Sequence, residues 1–314
     1  MSTIERDEQV FRKLELREKS KTYLFFNKLL KNPYVLIAPA EILAVCTTLY
    51  SIIFCIVISF FKWDLITNKK TFVGLKNFRY IFKNEAFLQS FGNTIIFVLI
   101  TVLGGLILQT LCGVFLNKNK PAHNFVQTII FTPHIIATVV IASVFMYLML
   151  PKGGVFNSTL AIFGIEPSYW YMSADSALAS MIFIVIWKGL GYGTLIVISG
   201  LRAIPSYVYE AAKLDKAGKL KTFSSITVPL LSPTIFYLLV TTTVSSFTTF
   251  DIISMMTQGG PSGSTNMLAY YIYEQGMQFQ HYGRAMAAAV VLLVLTSTIS
   301  ALQFVVAGKK VHYQ

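Results

Sequence analysis

Six blocks of apolar residues dominate this chain, running from about Val35 to Phe61, Thr94 to Leu116, Val126 to Leu150, Ala177 to Gly200, Leu231 to Met256 and Ala285 to Ala307. About 20 apolar residues suffice to carry a helix across a bilayer. Inside lipid every backbone N–H and C=O must be satisfied within the spanning segment, so helices are the economical reading. A β-barrel would alternate apolar and polar residues over short stretches, and these runs do not alternate. Only 13% of the 314 residues are charged, against 54% hydrophobic, which sets the chain apart from soluble domains of this size. The expected fold class is an all-α membrane protein of six transmembrane helices.

The net charge of +12 is unevenly spread. With six spans, the segment before residue 35, the 201–229 loop, Lys118 with Lys120, and Lys309 with Lys310 share one side and carry seventeen Lys and Arg. The opposite loops carry seven: Lys62, Lys69, Lys70, Lys76, Arg79, Lys83 and Lys152. The positive-inside rule therefore puts both termini in the cytoplasm, as a multi-pass protein of a bacterial or archaeal plasma membrane. The six basic residues of the first outer loop run against that bias. No soluble basic domain exists to bind nucleic acid, so the charge argues for topology instead.

The cysteines Cys46, Cys55 and Cys112 all lie in apolar spans, with no disulfide or metal-ligand spacing. The first thirty residues are polar and charged, so no cleavable signal peptide is expected and the first span reads as a retained anchor. Val10–Lys31 mixes apolar and basic residues and has two open readings, an amphipathic helix on the inner leaflet or a basic tail that sets topology. Asn32-Pro33 ends it. The expected organisation is a cytoplasmic segment over 1–34, one polytopic domain over 35–308 and a cytoplasmic tail over 309–314. In the third outer segment Tyr169-Trp170-Tyr171 reads either as an interfacial anchor or as a contact for a docked partner.

Between the fourth and fifth spans, the 201–229 loop is short, polar and helix-forming. Pro205 and Ser206 make a helix start, with the serine oxygen placed to cap free N–H groups. The Tyr207–Lys216 segment holds no further proline or glycine and should be helical. Ala211 and Ala212 leave a nearly flat face for close approach, and Glu210 beside them offers a carboxylate to a donor on a partner. Leu220, Phe223 and Ile226 are expected to anchor a second amphipathic piece, and Pro229 and Pro233 bracket return to the bilayer.

The run Glu210-Ala211-Ala212-Lys213-Leu214-Asp215, followed by Ile226-Thr227-Val228-Pro229, resembles the EAA loop of the membrane subunits of binding-protein-dependent ABC importers. It is most similar to the sugar permeases of the maltose and glycerol-phosphate type. The resemblance extends to Gly74-Leu75-Lys76-Asn77-Phe78 with Asn93-Thr94, to Trp187-Lys188-Gly189 through Pro205, and to Thr257-Gln258-Gly259-Gly260-Pro261 with Thr265. It implies a type I importer permease fold in which a cytoplasmic elbow, carrying Glu210, Ala211, Ala212, Asp215, Lys216 and Gly218, docks an ATPase. The family usually has glycine after that aspartate, where this chain has Lys216; Gly218 is expected to take over the turn. The implied partners are a second homologous permease, two ATP-binding-cassette subunits and an extracytoplasmic solute-binding protein, besides the bilayer.

Lys188 and Asp251 are charges inside spans, and such groups face protein, water or a partner. Lys188 either lines a path and meets a polar or acidic sugar, or pairs with Asp251 or with carbonyls near Gly189, Gly191 and Gly193. The hydroxyl-rich run Thr241–Thr249 likewise has two readings, hydrogen bonds between helices or contacts to sugar hydroxyls. The resemblance carries Ser245, Ser246 and Phe247, with Lys188 and Gly189, over as path residues.

The chain has no phosphate-cradling Gly-x-x-x-x-Gly-Lys-Ser/Thr and no His-Glu-x-x-His or Gly-x-Ser-x-Gly. It is therefore expected to have no catalytic residue, metal or cofactor of its own, ATP and Mg being bound by the partner ATPase. The expected function is the permease subunit of an ATP-driven carbohydrate importer. A secondary transporter of six helices, or a glycerol-phosphate permease, is the alternative, and the cargo is not legible. An intramembrane enzyme would have to rest on His134, the one histidine well inside a span.

Overall fold

The computed structural model describes residues 29, 31–64, 67, 69–118, 120–306 and 308. The N-terminal basic segment before Leu29, with its two readings, and the 309–314 tail lie outside the described residues. The chain divides into one unit up to Cys55 and a second from Ile56 onward.

In the first unit the described chain is the body of α1 (Pro33–Ser59). Asn32 does more than break the preceding segment. Its side-chain oxygen accepts the Tyr34 N–H at 3.1 Å, and Pro33 follows as first helical residue, where its missing N–H costs nothing.

The second unit opens with a hairpin, β1 (Phe61–Asp64) antiparallel to β2 (Lys69–Phe72), with Phe61 opposite Phe72 and Asp64 opposite Lys69. The all-α expectation omits it, because its strands are four residues long and too basic to show an apolar alternation. Helix α2 (Lys76–Ile81) turns inward on Asn77, whose amide donates to the carbonyls of Ser59 at 2.8 Å and Phe61 at 2.9 Å.

Helix α3 (Glu85–Leu116) starts nine residues before the expected apolar boundary. The reason is local: Asn84 caps it by accepting the Phe87 N–H at 3.0 Å, and Glu85 sits at the positive end of the helix dipole. The expected third span is instead two helices, α4 (Pro121–Ile135) and α5 (Thr138–Leu148), bent by 102°. Pro133 withdraws a donor from the last turn of α4, and Ile136 and Ala137 then become extended, with ψ of 136° and 138°.

Beyond them lie α6 (Val155–Ile162), α7 (Ala177–Ala203) and the short helices α8 (Ser206–Leu214), α9 (Lys219–Thr222) and α10 (Val228–Leu230), with a π-helical turn at Phe223–Thr227. Then come α11 (Ser232–Phe247), α12 (Asp251–Met256), α13 (Leu268–Tyr273) and α14 (Tyr282–Val306). Among the described residues five helices are long and apolar enough to cross a membrane, or six if the bent pair counts as one span.

Helix α7 is the central packing element, and its glycines set how close its neighbours come. A Cβ on Gly193 would fall 2.1 Å from the Gln109 Cδ of α3, and one on Gly191 would fall 2.0 Å from the Ile130 carbonyl of α4. Small residues of this kind let helices touch backbone to backbone where no hydrophobic effect drives them together.

Candidate functional site

A cleft of about 450 Å³ opens between α3, α7 and α11, with α4 at its rim. Helical periodicity builds each wall. Tyr237, Thr241 and Ser245 recur every four residues on one stripe of α11, with Thr249 just past its end, and Thr101, Gly105 and Gln109 do the same on α3. Helix α7 contributes Lys188, Gly189 and Tyr192, and α4 contributes His134. Ring packing and hydrogen bonds tie the walls together. His134 stacks on Tyr192 with centroids 4.6 Å apart, the Tyr192 and Tyr237 hydroxyls are 3.2 Å apart, and the Gln109 amide donates to the Gly189 carbonyl at 3.3 Å. The other amide atom of that residue, Gln109 Oε1, is buried without a partner among the described residues.

Four of the five path residues expected from sequence, Lys188, Gly189, Ser245 and Ser246, line this cleft. Phe247 does not. It is 1% exposed and packs with Val98 and Val102 of α3, against Leu292 and Leu295 of α14. Ser246 is partly engaged, its hydroxyl lying 3.1 Å from that of Thr101, so at this position the hydroxyl run makes a hydrogen bond between helices. Asp251 lies outside the cleft, exposed in the first turn of α12, while Lys188 faces into it. Among the described residues Lys188 is the one side chain in the lining with a fixed charge. Hydroxyls, two tyrosine rings and one cation suit a polyhydroxylated ligand, with ring faces for its C–H edges and an ammonium for an anionic group. Among the described residues no three His, Cys, Asp or Glu gather to hold a metal.

The sequence reading did not single out Gln109, Tyr192 or Tyr237. Tyr192 follows Lys188 by four positions and Tyr237 precedes Thr241 by four, a spacing that marks one helix face.

In the 201–229 loop a helix begins at Ser206 as expected, but no side chain caps α8. Its C-terminus is a Schellman turn, in which the Lys216 N–H donates to the Lys213 carbonyl at 3.0 Å and the Ala217 N–H to that of Ala212 at 2.9 Å. Lys216 itself takes the left-handed conformation, φ +52°. Gly218 is extended (φ −66°, ψ 155°) and does not take over the turn. The geometry requires a positive φ directly after Asp215, and the position is filled by lysine.

Glu210, Ala211, Asp215, Lys216 and Gly218 are exposed, whereas Ala212 points inward at 6% exposure, so the flat face is formed by Ala211 alone. Leu214 and Leu220 are 84% and 81% exposed. Leu220 is therefore no anchor; Phe223 and Ile226 are half-buried in its place. Tyr209 ties α8 to the second piece through a 3.3 Å contact between its hydroxyl and that of Thr227.

On the far side, the Thr257–Thr265 turn is pinned to the start of α3. Asn93 donates to the carbonyls of Gly263 and Asn266, both at 2.9 Å, Gln89 donates to Ser262, and the Thr94 hydroxyl accepts the Leu268 N–H at 2.9 Å. Burial, reinforced by the Tyr80 hydroxyl nearby, pushes the Tyr271 hydroxyl up to about 12. Of the aromatic trio, Tyr169 alone is exposed; Tyr171 is buried, and the Trp170 indole donates to Asn157 at 2.9 Å.

A family profile described as "Binding-protein-dependent transport system inner membrane component" matches residues 105–311. The probable ABC transporter permease protein YurN of Bacillus subtilis is 32% identical over 280 residues, covering 86% of this chain and 94% of that protein. The sn-glycerol-3-phosphate transport system permease protein UgpA of Agrobacterium fabrum is 32% identical over 293 residues, covering 92% and 98%. Among solved structures, a bacterial ABC transporter involved in the import of the acidic polysaccharide alginate superposes with a TM-score of 0.77 at 23% identity, covering 94% of this chain and 98% of the other.

Proposed function

The chain belongs to the family of binding-protein-dependent transport system inner membrane components, with the type I ABC importer permease fold, and on that premise we propose that it forms half of the pore of an ATP-driven carbohydrate importer. A second homologous permease completes the pore. An extracytoplasmic binding protein delivers the cargo, and two ATPases grip the elbow around Glu210, Ala211 and Lys216. This topology treats the bent α4–α5 pair as one of six spans and puts the elbow and both termini in the cytoplasm. The chain has no phosphate-cradling glycine loop, so hydrolysis belongs to the partners.

The observation that carries the reading is the cleft, which gathers Lys188, Gly189, Ser245 and Ser246 from two different helices against the hydroxyls and rings of the facing walls. The cycle needs cargo to bind this cleft differently in its inward- and outward-facing states, since equal affinity would move nothing. Closure of the ATPases on ATP draws the elbows together, and α7 and α11, fixed to the elbow at either end, change the cleft. Lys188 also favours a second reading of the cargo, glycerol phosphate or another anionic polyol, in line with the glycerol-phosphate permease among the relatives.

The test is Ser245→Leu in the importer reconstituted in proteoliposomes. Ser245 is exposed in the cleft, so the change narrows the path without disturbing the Ser246–Thr101 contact. Uptake is expected to fall about tenfold, a barrier increase of roughly 1.4 kcal/mol, while hydrolysis stimulated by the loaded binding protein persists. Unchanged uptake removes Ser245 from the path. Uptake independent of ATP in the unmodified protein removes the importer reading altogether.

A further inference from the structure

The first outer loop carries six basic residues that membrane topology does not explain, and the structure places two of them, Lys62 and Lys76, in one cavity. It has a volume of about 520 Å³ and lies between the hairpin, α2 and the first turn of α14, where α1 ends at Ser59 and α14 begins at Tyr282. Helix α14 is an apolar span that begins here, so the cavity sits at the level where hydrocarbon gives way to headgroups.

Its walls are fixed. The β1 strand packs so tightly on α14 that a Cβ at Gly283 would fall 2.0 Å from the Phe61 carbonyl. Trp63 meets Tyr282 at 5.8 Å between ring centroids, and the Arg284 guanidinium lies 3.7 Å from the centre of the Tyr80 ring. The ring holds the guanidinium in place; its Nη1 lies 3.5 Å from His281 Nδ1, and its remaining N–H groups are left for a ligand. Among the described residues no carboxylate lies within ion-pair distance of Lys62, Lys76 or Arg284. Asp64 is the single carboxylate of the lining, and it already accepts the Thr67 N–H at 3.3 Å. Three fixed cations thus face one anion. The local field is felt at His281 on the rim, whose pKa is lowered by burial first and then by Arg284 and Lys62.

We propose that this cavity binds a phosphate-type oxyanion, the headgroup of an anionic lipid or free phosphate, through Lys62, Lys76 and Arg284. A concave pocket with a stacked arginine suits a small tetrahedral oxyanion, which takes several charge-assisted hydrogen bonds from converging cations. The flanking rings suit the membrane boundary, where aromatic side chains concentrate. The site is separate from the cleft around Lys188 and is independent of the cargo.

The test uses the full chain, purified free of lipid in a neutral detergent, with its thermal unfolding midpoint titrated against phosphatidylglycerol, phosphatidylcholine and inorganic phosphate at constant ionic strength. Phosphatidylglycerol is expected to raise the midpoint and phosphatidylcholine to leave it unchanged. A rise with phosphate as well identifies the free anion as a ligand; a rise with phosphatidylglycerol alone identifies the lipid. Lys76→Gln combined with Arg284→Gln should weaken the response at least about tenfold. Lys152→Gln, an outer cation away from the cavity, should leave it intact. If the Arg284 change prevents folding, Lys62→Gln with Lys76→Gln, both exposed, serves in its place. A wild-type chain that answers to neither anion overturns the proposal, as does a double variant with an undiminished response. So does a double variant that keeps its anion response and loses only capture of the extracytoplasmic binding protein, which would make the patch a protein-docking surface.

Discussion

Lys216 shows how one residue shapes the turn after α8. Its φ of +52° closes the Schellman turn after α8, a conformation that costs an L-residue with a Cβ roughly 1–2 kcal/mol and glycine almost nothing. Lys216→Gly should therefore tighten the turn by about 1 kcal/mol, read as a roughly fivefold slower exchange of the Ala217 amide hydrogen. Unchanged or faster exchange would mean that the lysine side chain supports the turn. The missing glycine was legible in the sequence, but the location of the turn was not. Gly218 is the obvious candidate by composition, and the hydrogen bonds from residues 216 and 217 to Lys213 and Ala212 fix the positive φ two residues earlier. Phe247 makes the same point inside the membrane. Neighbours on a helix point about 100° apart. Ser245 faces the cleft, Ser246 reaches Thr101, and Phe247 falls on the apolar side against Val98 and Val102. The resemblance grouped three residues that the helix distributes around its axis.

The elements divide by how local their causes are. Helices α3, α7 and α14 follow from apolar runs, and the cap at Asn84 explains why α3 outruns its own run. The α4–α5 bend needed Pro133 together with two extended residues, and hydropathy smooths over both. The Thr257–Thr265 turn is held by the Asn93 side chain, 170 and 173 positions from its two carbonyl partners, a relation invisible to any local pattern. Asn93→Ala strips the Gly263 and Asn266 carbonyls of a donor and should cost about 1–3 kcal/mol in the local stability of that turn. The effect should register as faster proteolysis within residues 258–266, with α3 unaffected; an unchanged rate would show that Gln89 and Thr94 suffice. At the elbow, Glu210 is exposed on α8, where a partner can reach it. With Glu210 docking an ATPase, Glu210→Lys should leave the protein inserted yet reduce co-purification of the ATPase about tenfold or more, the consequence of roughly 1.4 kcal/mol lost in docking. Wild-type yield of the complex together with normal transport would end the elbow reading.

For the whole molecule, the charge bias predicts that Lys216 is cytoplasmic and Gly260 outside. In a background lacking Cys46, Cys55 and Cys112, Gly260→Cys should react with an impermeant thiol reagent in sealed cells and Lys216→Cys should not. Labelling at position 216 would overturn the six-span topology and, with it, the role given to the elbow. Sequence alone determined that this chain is a helical membrane protein, that it resembles a binding-protein-dependent importer subunit, and which loop carries that resemblance. Each of these rests on patterns written within a few tens of residues: apolar length, charge bias and motif spacing. The tertiary structure decided which faces meet. It gathered Lys188, Ser245, Tyr192 and Gln109 around one cleft, turned Phe247 away from it, and brought Lys62 and Lys76 to a cavity beside Arg284. Those outcomes depend on how closely helices approach, and that distance is set by contacts such as Gly191 against Ile130 and Gly283 against Phe61, between residues far apart in the chain.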